Sequence, residues 1–244
     1  MSLKEVNLLS ISLKQYFYKL KAHTDLVNRL IITQMFALFF SLGGVSSMSS
    51  GNGQLSVSMR TYSASMVIIF SVLWITIVAA MLTTKPYKQM ETPLVGNRLT
   101  GNLSDIGFLL TASVFAAMTS ALGGVLLRVI MYFTSDRSKI AFDQFFLTFS
   151  DLLLSMVVAS LYMGLVSALG YLIGVLVQVN MAFVILIPVA IFGSLRVYTH
   201  LGQSIFEFYV GEVSLPLFAL KVLITAIIFF EASLLISNRR EINP

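Results

Sequence analysis

Two carboxylates stand where carboxylates are rare. Asp151 lies inside an apolar block running from Phe145 to Val177, and Glu231 lies late in another, from Leu215 to Ser237. Ionisable side chains at membrane depth are costly and usually face a protein interior or a water-filled path. Both acids are therefore candidate pathway residues for a transported ion or molecule. The plainer reading places them near the two interfaces, Asp151 outside and Glu231 inside. Other chemistry is missing. His23 and His200 are the only histidines, and no HExxH pattern joins them to a zinc-protease helix. Gly193-Ser194 precedes His200, but no GxSxG elbow and no opposed acid complete a triad. No GxxxxGK[ST] sequence occurs, so ATP has no phosphate-binding loop here. The absence of cysteine excludes disulfides, thiolate metal sites and a cysteine nucleophile. The sequence offers no catalytic residue, no metal site and no cofactor site of its own.

The elements that must position these residues are set by composition. Of 244 residues, 57% are hydrophobic and 11% charged, whereas a soluble domain carries about 25% charged residues. That deficit cannot cover a water-facing surface. The apolar residues fall in blocks near the ~20 needed to span a bilayer as helix, too long and continuous for barrel strands. The expected fold class is all-α: a polytopic integral membrane protein with six transmembrane helices and an N-terminal amphipathic interfacial helix. The spans are read as Leu30–Val45, Ala64–Leu82, Ile106–Tyr132, Phe145–Val177, Met181–Leu195 and Leu215–Ser237. The fourth is long enough to tilt or lie partly in the interface, and the short fifth contains Pro188.

The leader, residues 1–29, has no signal-peptide pattern. Leu9, Leu13, Phe17 and Leu20 share one helical face, Lys14 and Lys21 a flank, and Lys4 and Lys19 the far side. Leu8 and Ile11 spoil the pattern, so the helix is expected to begin cleanly after Ile11. Leu13, Phe17 and Leu20 are expected in the acyl boundary, with Lys14 and Lys21 at the head groups. The six-span domain covers 30–237 and a tail covers 238–244. Ser46 to Ser56 reads as a loop of serine and glycine. Residues 83–105 form the most polar interior stretch, and Pro93 opens a short helix capped by Thr92. Residues 196–214 are amphiphilic, with Tyr198, Phe206, Phe208 and Tyr209 suited to the outer boundary.

Charge sets orientation. With six spans, Lys4, Lys14, Lys19, Lys21, Arg29, Lys85, Lys88, Arg98, Arg239 and Arg240 share one side. The other side holds fewer basic residues, so both termini and the 83–105 loop are expected in the cytoplasm, in the cell membrane. The net charge of +5 is absorbed by topology and calls for no nucleic-acid partner. Gly170-xxx-Gly174 has the close-packing spacing of membrane helices, with Gly123, Gly124, Gly164 and Ala168 as further small residues.

This layout resembles the membrane subunit of ABC-2 type ATP-binding-cassette transporters, similar to small Gram-positive peptide and antibiotic exporters. The segment TPLVGNRLTGNLSDIGFLLTASVF, Thr92 to Phe115, carries most of the likeness. The resemblance implies a short helix here that docks on a separate ATPase subunit. Glu91, Asn97, Arg98 and Asp105 would supply polar contacts, and Thr92, Pro93, Leu94 and Val95 the capped apolar knob. It implies three partners: the ABC ATPase subunit, which would hold ATP and Mg; a second permease copy, identical or paralogous; and membrane lipid. The residues themselves leave open an ion-coupled secondary transporter or channel subunit, and a non-transporting immunity or scaffold protein.

Overall fold

The computed structural model describes residues 8–43, 46–52, 55–61, 63–90, 98–134, 140–141, 148–197, 199–212 and 214–239. Nine helices and three strands follow in chain order among them: α1 (Leu8–Ala22), α2 (Thr24–Leu42), β1 (Ser46–Asn52), β2 (Leu55–Thr61), α3 (Ser65–Leu82), α4 (Lys85–Met90), α5 (Arg98–Thr134), β3 (Ile140–Ala141), α6 (Phe149–Val179), α7 (Phe183–Val197), α8 (Thr199–Tyr209) and α9 (Leu215–Arg239). Five of these, α2, α3, α5, α6 and α9, are long and apolar enough to cross a membrane, and α7 is a shorter apolar helix. The polytopic helical reading stands at that level.

Several expected boundaries move, each for a physical reason. The first span begins at Thr24, not Leu30, because the Asp25–Arg29 pair, 3.1 Å apart at i,i+4 spacing, continues the helix through its polar start. The leader helix begins at Leu8 rather than after Ile11. The third span starts at Arg98, so the last part of the 83–105 stretch is the opening two turns of α5 and not a loop. The stretch from Ser46, read as a loop, is a hairpin: β1 pairs antiparallel with β2 from Ser46↔Thr61 to Asn52↔Leu55. Its strand β2 also runs parallel to β3 through Arg60↔Ile140 and Thr61↔Ala141. The short helix expected at Pro93 lies outside the described residues.

The chain forms two compact units. The first comprises Met1–His23, Ile75–Ala112 and Gly164–Pro244; the second comprises Thr24–Trp74 and Ser113–Met163. In the second, Ala37, Leu38, Val67, Leu127 and Met131 form a buried apolar cluster with Phe70 against it. Gln34 crosses this unit's interior as a polar tie, donating from Nε2 to Ser71 Oγ and Thr119 Oγ1, each at 3.0 Å. Both hydroxyls donate onward to carbonyls of their own helices, so this intramembrane polarity is satisfied within the protein.

In the first unit the glycine spacing of α6 has a concrete meaning. A Cβ at Gly170 would meet the Thr76 carbonyl at 3.0 Å and the Ala79 Cβ at 3.2 Å. At Gly174 it would collide with Thr83 Oγ1 and meet the Ala80 Cα at 3.1 Å. Backbone therefore approaches backbone between α6 and α3, the arrangement that drives helix association where no hydrophobic effect operates. Gly174→Leu is expected to destabilise the fold by about 1–3 kcal/mol, the usual cost of overpacking. Gly164→Ala should be tolerated, since nothing lies within 4 Å of its missing Cβ. Thermal unfolding in detergent would measure both.

Candidate functional site

The most polar interior of the first unit is built around one carboxylate. Asp105 sits two turns into α5 and is fully buried. Lys19, near the end of α1 and also fully buried, places its Nζ 2.5 Å from Asp105 Oδ1 and donates to the Gly101 carbonyl at 3.1 Å. Lys88, on α4, lies 3.7 Å from Asp105 Oδ2 and donates to Asn102 Oδ1 at 2.6 Å. Tyr171, on α6, sets its hydroxyl 3.1 Å from both Asp105 Oδ2 and Asn102 Oδ1. It has one proton, so it donates to one of these acceptors at a time. Asn102 Nδ2 donates to Ser237 Oγ at 3.0 Å, near the end of α9.

Five helices thus meet in one hydrogen-bonded hub: α1, α4, α5, α6 and α9. The Asn102–Asp105 spacing puts both side chains on one face of α5, three residues apart. Two ammonium groups flank one carboxylate, which offsets part of the cost of burying Lys19 and Asp105. His23 closes the neighbourhood, its ring 5.4 Å from Tyr87 and 5.7 Å from Phe108.

The hub explains an inverted helix. In α1 the polar residues Ser12, Gln15 and Lys19 are buried, while Leu9, Leu13 and Phe17 are more than half exposed and Leu20 is exposed too. Lys14 and Lys21 are also exposed. An amphipathic helix with its polar face inward and its apolar face outward is stable only where the outside is apolar. Lys19, expected on the side of the helix far from its apolar face, lies there and is buried, its ammonium drawn inward by Asp105.

The other sequence-selected residues separate. Glu91, Thr92, Pro93, Leu94, Val95 and Asn97 lie outside the described residues, and Arg98 opens α5. Asp105, expected among the contacts to a partner, is instead enclosed by Lys19, Lys88 and Tyr171, so its carboxylate has no free surface to offer. Asp151 is exposed in the first turn of α6, where the helix's unpaired amides favour a carboxylate. Glu231 is exposed on α9. Asp151 belongs to the second unit and Glu231 to the first. Among the described residues no group of His, Asp and Glu has the arrangement to hold a metal ion.

A second ion pair lies between α8 and α9. Lys221 Nζ is 2.5 Å from Glu212 Oε2 and 4.5 Å from the centre of the Phe208 ring. The hydrogen bond from Lys221 holds the Glu212 carboxyl below its ordinary range. Sequence reasoning missed Lys221 as an anchor and Lys19, Tyr171, Asn102 and Ser237 as a group. The signal available was the isolated Asp105 at the edge of an apolar run, which requires a partner that linear spacing cannot name.

Apolar helices long enough to span a bilayer, with interior polar groups that bond to one another, define a polytopic helical membrane protein. Comparison with protein-family models, curated proteins and solved structures gave no match to this chain.

Proposed function

We propose that this chain is the membrane subunit of an ABC-type transporter. It acts as a permease that works with a second permease copy to export a peptide, antibiotic or other amphiphilic substrate. Power comes from a separate ATPase subunit that holds ATP and Mg. The observation that supports this reading is the hub. The polar stretch between α3 and α5 is the segment through which a soluble motor would push. Both helices that flank it are held: Lys88 on α4 meets Asp105 on α5, Asp105 binds the leader through Lys19 and α6 through Tyr171, and Asn102 binds α9 through Ser237. A braced segment passes displacement to several helices at once, and an ATPase with different contacts in its two nucleotide states would supply the work.

Six crossings with cytoplasmic termini fit the same arrangement. Tyr171 and Ser237 both bond to Asn102, and each lies in the C-terminal third of its helix. In this reading α6 and α9 run in the same direction, and residues 180–214 return the chain across the bilayer. Helix α7 has 15 residues, about 22 Å at ~1.5 Å per residue, short of the ~30 Å core. Its flanking turns and the exposed aromatics of α8, Phe206 and Phe208, complete the crossing at the outer boundary.

The test is partnership. The tagged chain, extracted from its native membranes in mild detergent, is expected to bring down a soluble subunit with a phosphate-binding loop, and the complex to hydrolyse ATP. Cross-linking through a cysteine at Gln89 before extraction should capture the same subunit. If neither route recovers an ATPase, the reading is wrong.

A further inference from the structure

Helix α9 divides cleanly into two faces. Phe218, Val222, Ala226, Phe230 and Ser233 are buried. On the opposite face Leu217, Leu220, Ile224, Ile227, Ile228 and Leu235 are exposed, each by about half or more. Glu231 lies in the middle of that exposed stripe, one turn from Ile227, Ile228 and Leu235. Among the described residues it has no hydrogen-bond or ion-pair partner.

Its depth follows from the charges on the same helix. Lys221 and Arg239 are eighteen residues apart, about 27 Å at ~1.5 Å per residue, close to the ~30 Å hydrocarbon core they would bracket. Glu231 stands eight residues inside Arg239, about 12 Å along the axis, too deep for a short carboxylate side chain to reach the head groups. Lys221 is about 15 Å further along and already holds Glu212. Acyl chains can cover the leucines and isoleucines, but they offer no cation at this depth. A second copy fits poorly too. Copies in one membrane lie parallel, so a two-fold contact through this stripe would set Glu231 against Glu231.

We propose that Glu231 and the surrounding stripe of α9 form a binding site for amphiphilic organic cations, the apolar body of the ligand lying on Ile224, Ile227, Ile228 and Leu235 and its positive group pairing with the carboxylate. This rests on the transport reading and names its substrate class. The ligand brings both things the face lacks: apolar cover and a counter-charge worth more in this medium than in water.

The experiment uses the full chain in phosphatidylcholine nanodiscs and tritiated tetraphenylphosphonium as probe. Saturable binding above that of empty nanodiscs is expected. Glu231→Gln should weaken it about tenfold or more, as loss of an ion pair in a low-dielectric site requires, and Glu231→Asp should retain most of it. Asp151→Asn should bind as the parent does. Because Glu231 is exposed, the glutamine variant should melt with the parent, which separates loss of the site from loss of the fold. Equal binding by the parent and a folded Glu231→Gln, or binding no greater than to empty nanodiscs, overturns the proposal whatever ATPase is found. Loss of binding in Glu231→Gln, in a chain that recruits no ATPase, upholds the cation site and refutes the transport reading instead.

Discussion

Asp105→Ala is expected to be among the most destabilising single substitutions in this protein, at about 3–5 kcal/mol. It takes the paired carboxylate away from the fully buried Lys19 ammonium, which keeps the neutral Gly101 carbonyl as an acceptor. Lys19→Met should cost less, because Asp105 keeps the Tyr171 hydroxyl at 3.1 Å and Lys88 at 3.7 Å. The Lys88 side chain is about one-third exposed, so water screens part of that compensation. Tyr171→Phe removes one shared hydrogen bond without stranding a charge alone, at about 1 kcal/mol. The order Asp105→Ala, then Lys19→Met, then Tyr171→Phe is the expected result in denaturing-detergent titrations of the purified chain. The pair Lys19→Met with Asp105→Leu should recover much of the loss, since removing both charges together leaves no buried ion unpaired. Additivity of these two sites to within about 0.5 kcal/mol, or a parent-like Asp105→Ala, would show that the hub does not hold the helices.

The sequence made the apolar architecture legible because lipid leaves few alternatives. The span expected from Leu215 opens at the residue where α9 begins, and the expected Ala64–Leu82 span matches α3 to within a residue. Misreadings gathered where polarity was mistaken for loop. Arg98 to Asp105 is polar because it forms the interior of the hub, and so α5 begins two turns before its apolar run. In β2 the alternation Leu55, Ser56, Val57, Ser58, Met59, Arg60 carries the period of a strand, and Asn52-Gly53 is a hairpin turn signal. The surrounding serines masked both. The burial of Lys19 is not legible in the sequence, because a helical wheel shows which residues share a face and not what lies opposite that face. Its partner is 86 residues away in sequence. The Gly170 and Gly174 spacing predicted close packing, and the contacts with Thr76, Ala79, Ala80 and Thr83 supply the partner helix. The residues expected to meet an ATPase rest on resemblance, and only Arg98 and Asp105 among them fall within the described chain.

Cysteine-labelling in this cysteine-free chain should give an all-or-none pattern that fixes the number of crossings. With intact cells and an impermeant maleimide, cysteines at Ser50 in β1 and Ser204 in α8 should react. Those at Gln89 in α4 and at Met181, between α6 and α7, should react only after permeabilisation. The reasoning joins charge to geometry. Basic residues favour the cytoplasm for the leader, the 83–105 stretch and the tail. The leader and α4 are tied to Asp105, and Asn102 on the same turn of α5 ties them to Tyr171 of α6 and to the end of α9. If residues 180–214 stayed on one side, α9 would have to enter from the side where α6 ended. Ser237 would then finish at the far side of the bilayer, about 30 Å from Asn102, yet it accepts a hydrogen bond from it at 3.0 Å. Matching reactivity at Met181 and Ser204 would mean that α7 and α8 re-enter the membrane without crossing it. That result would overturn the six-crossing reading. Opposite reactivity at those two positions, together with a protected Gln89, is the expected result.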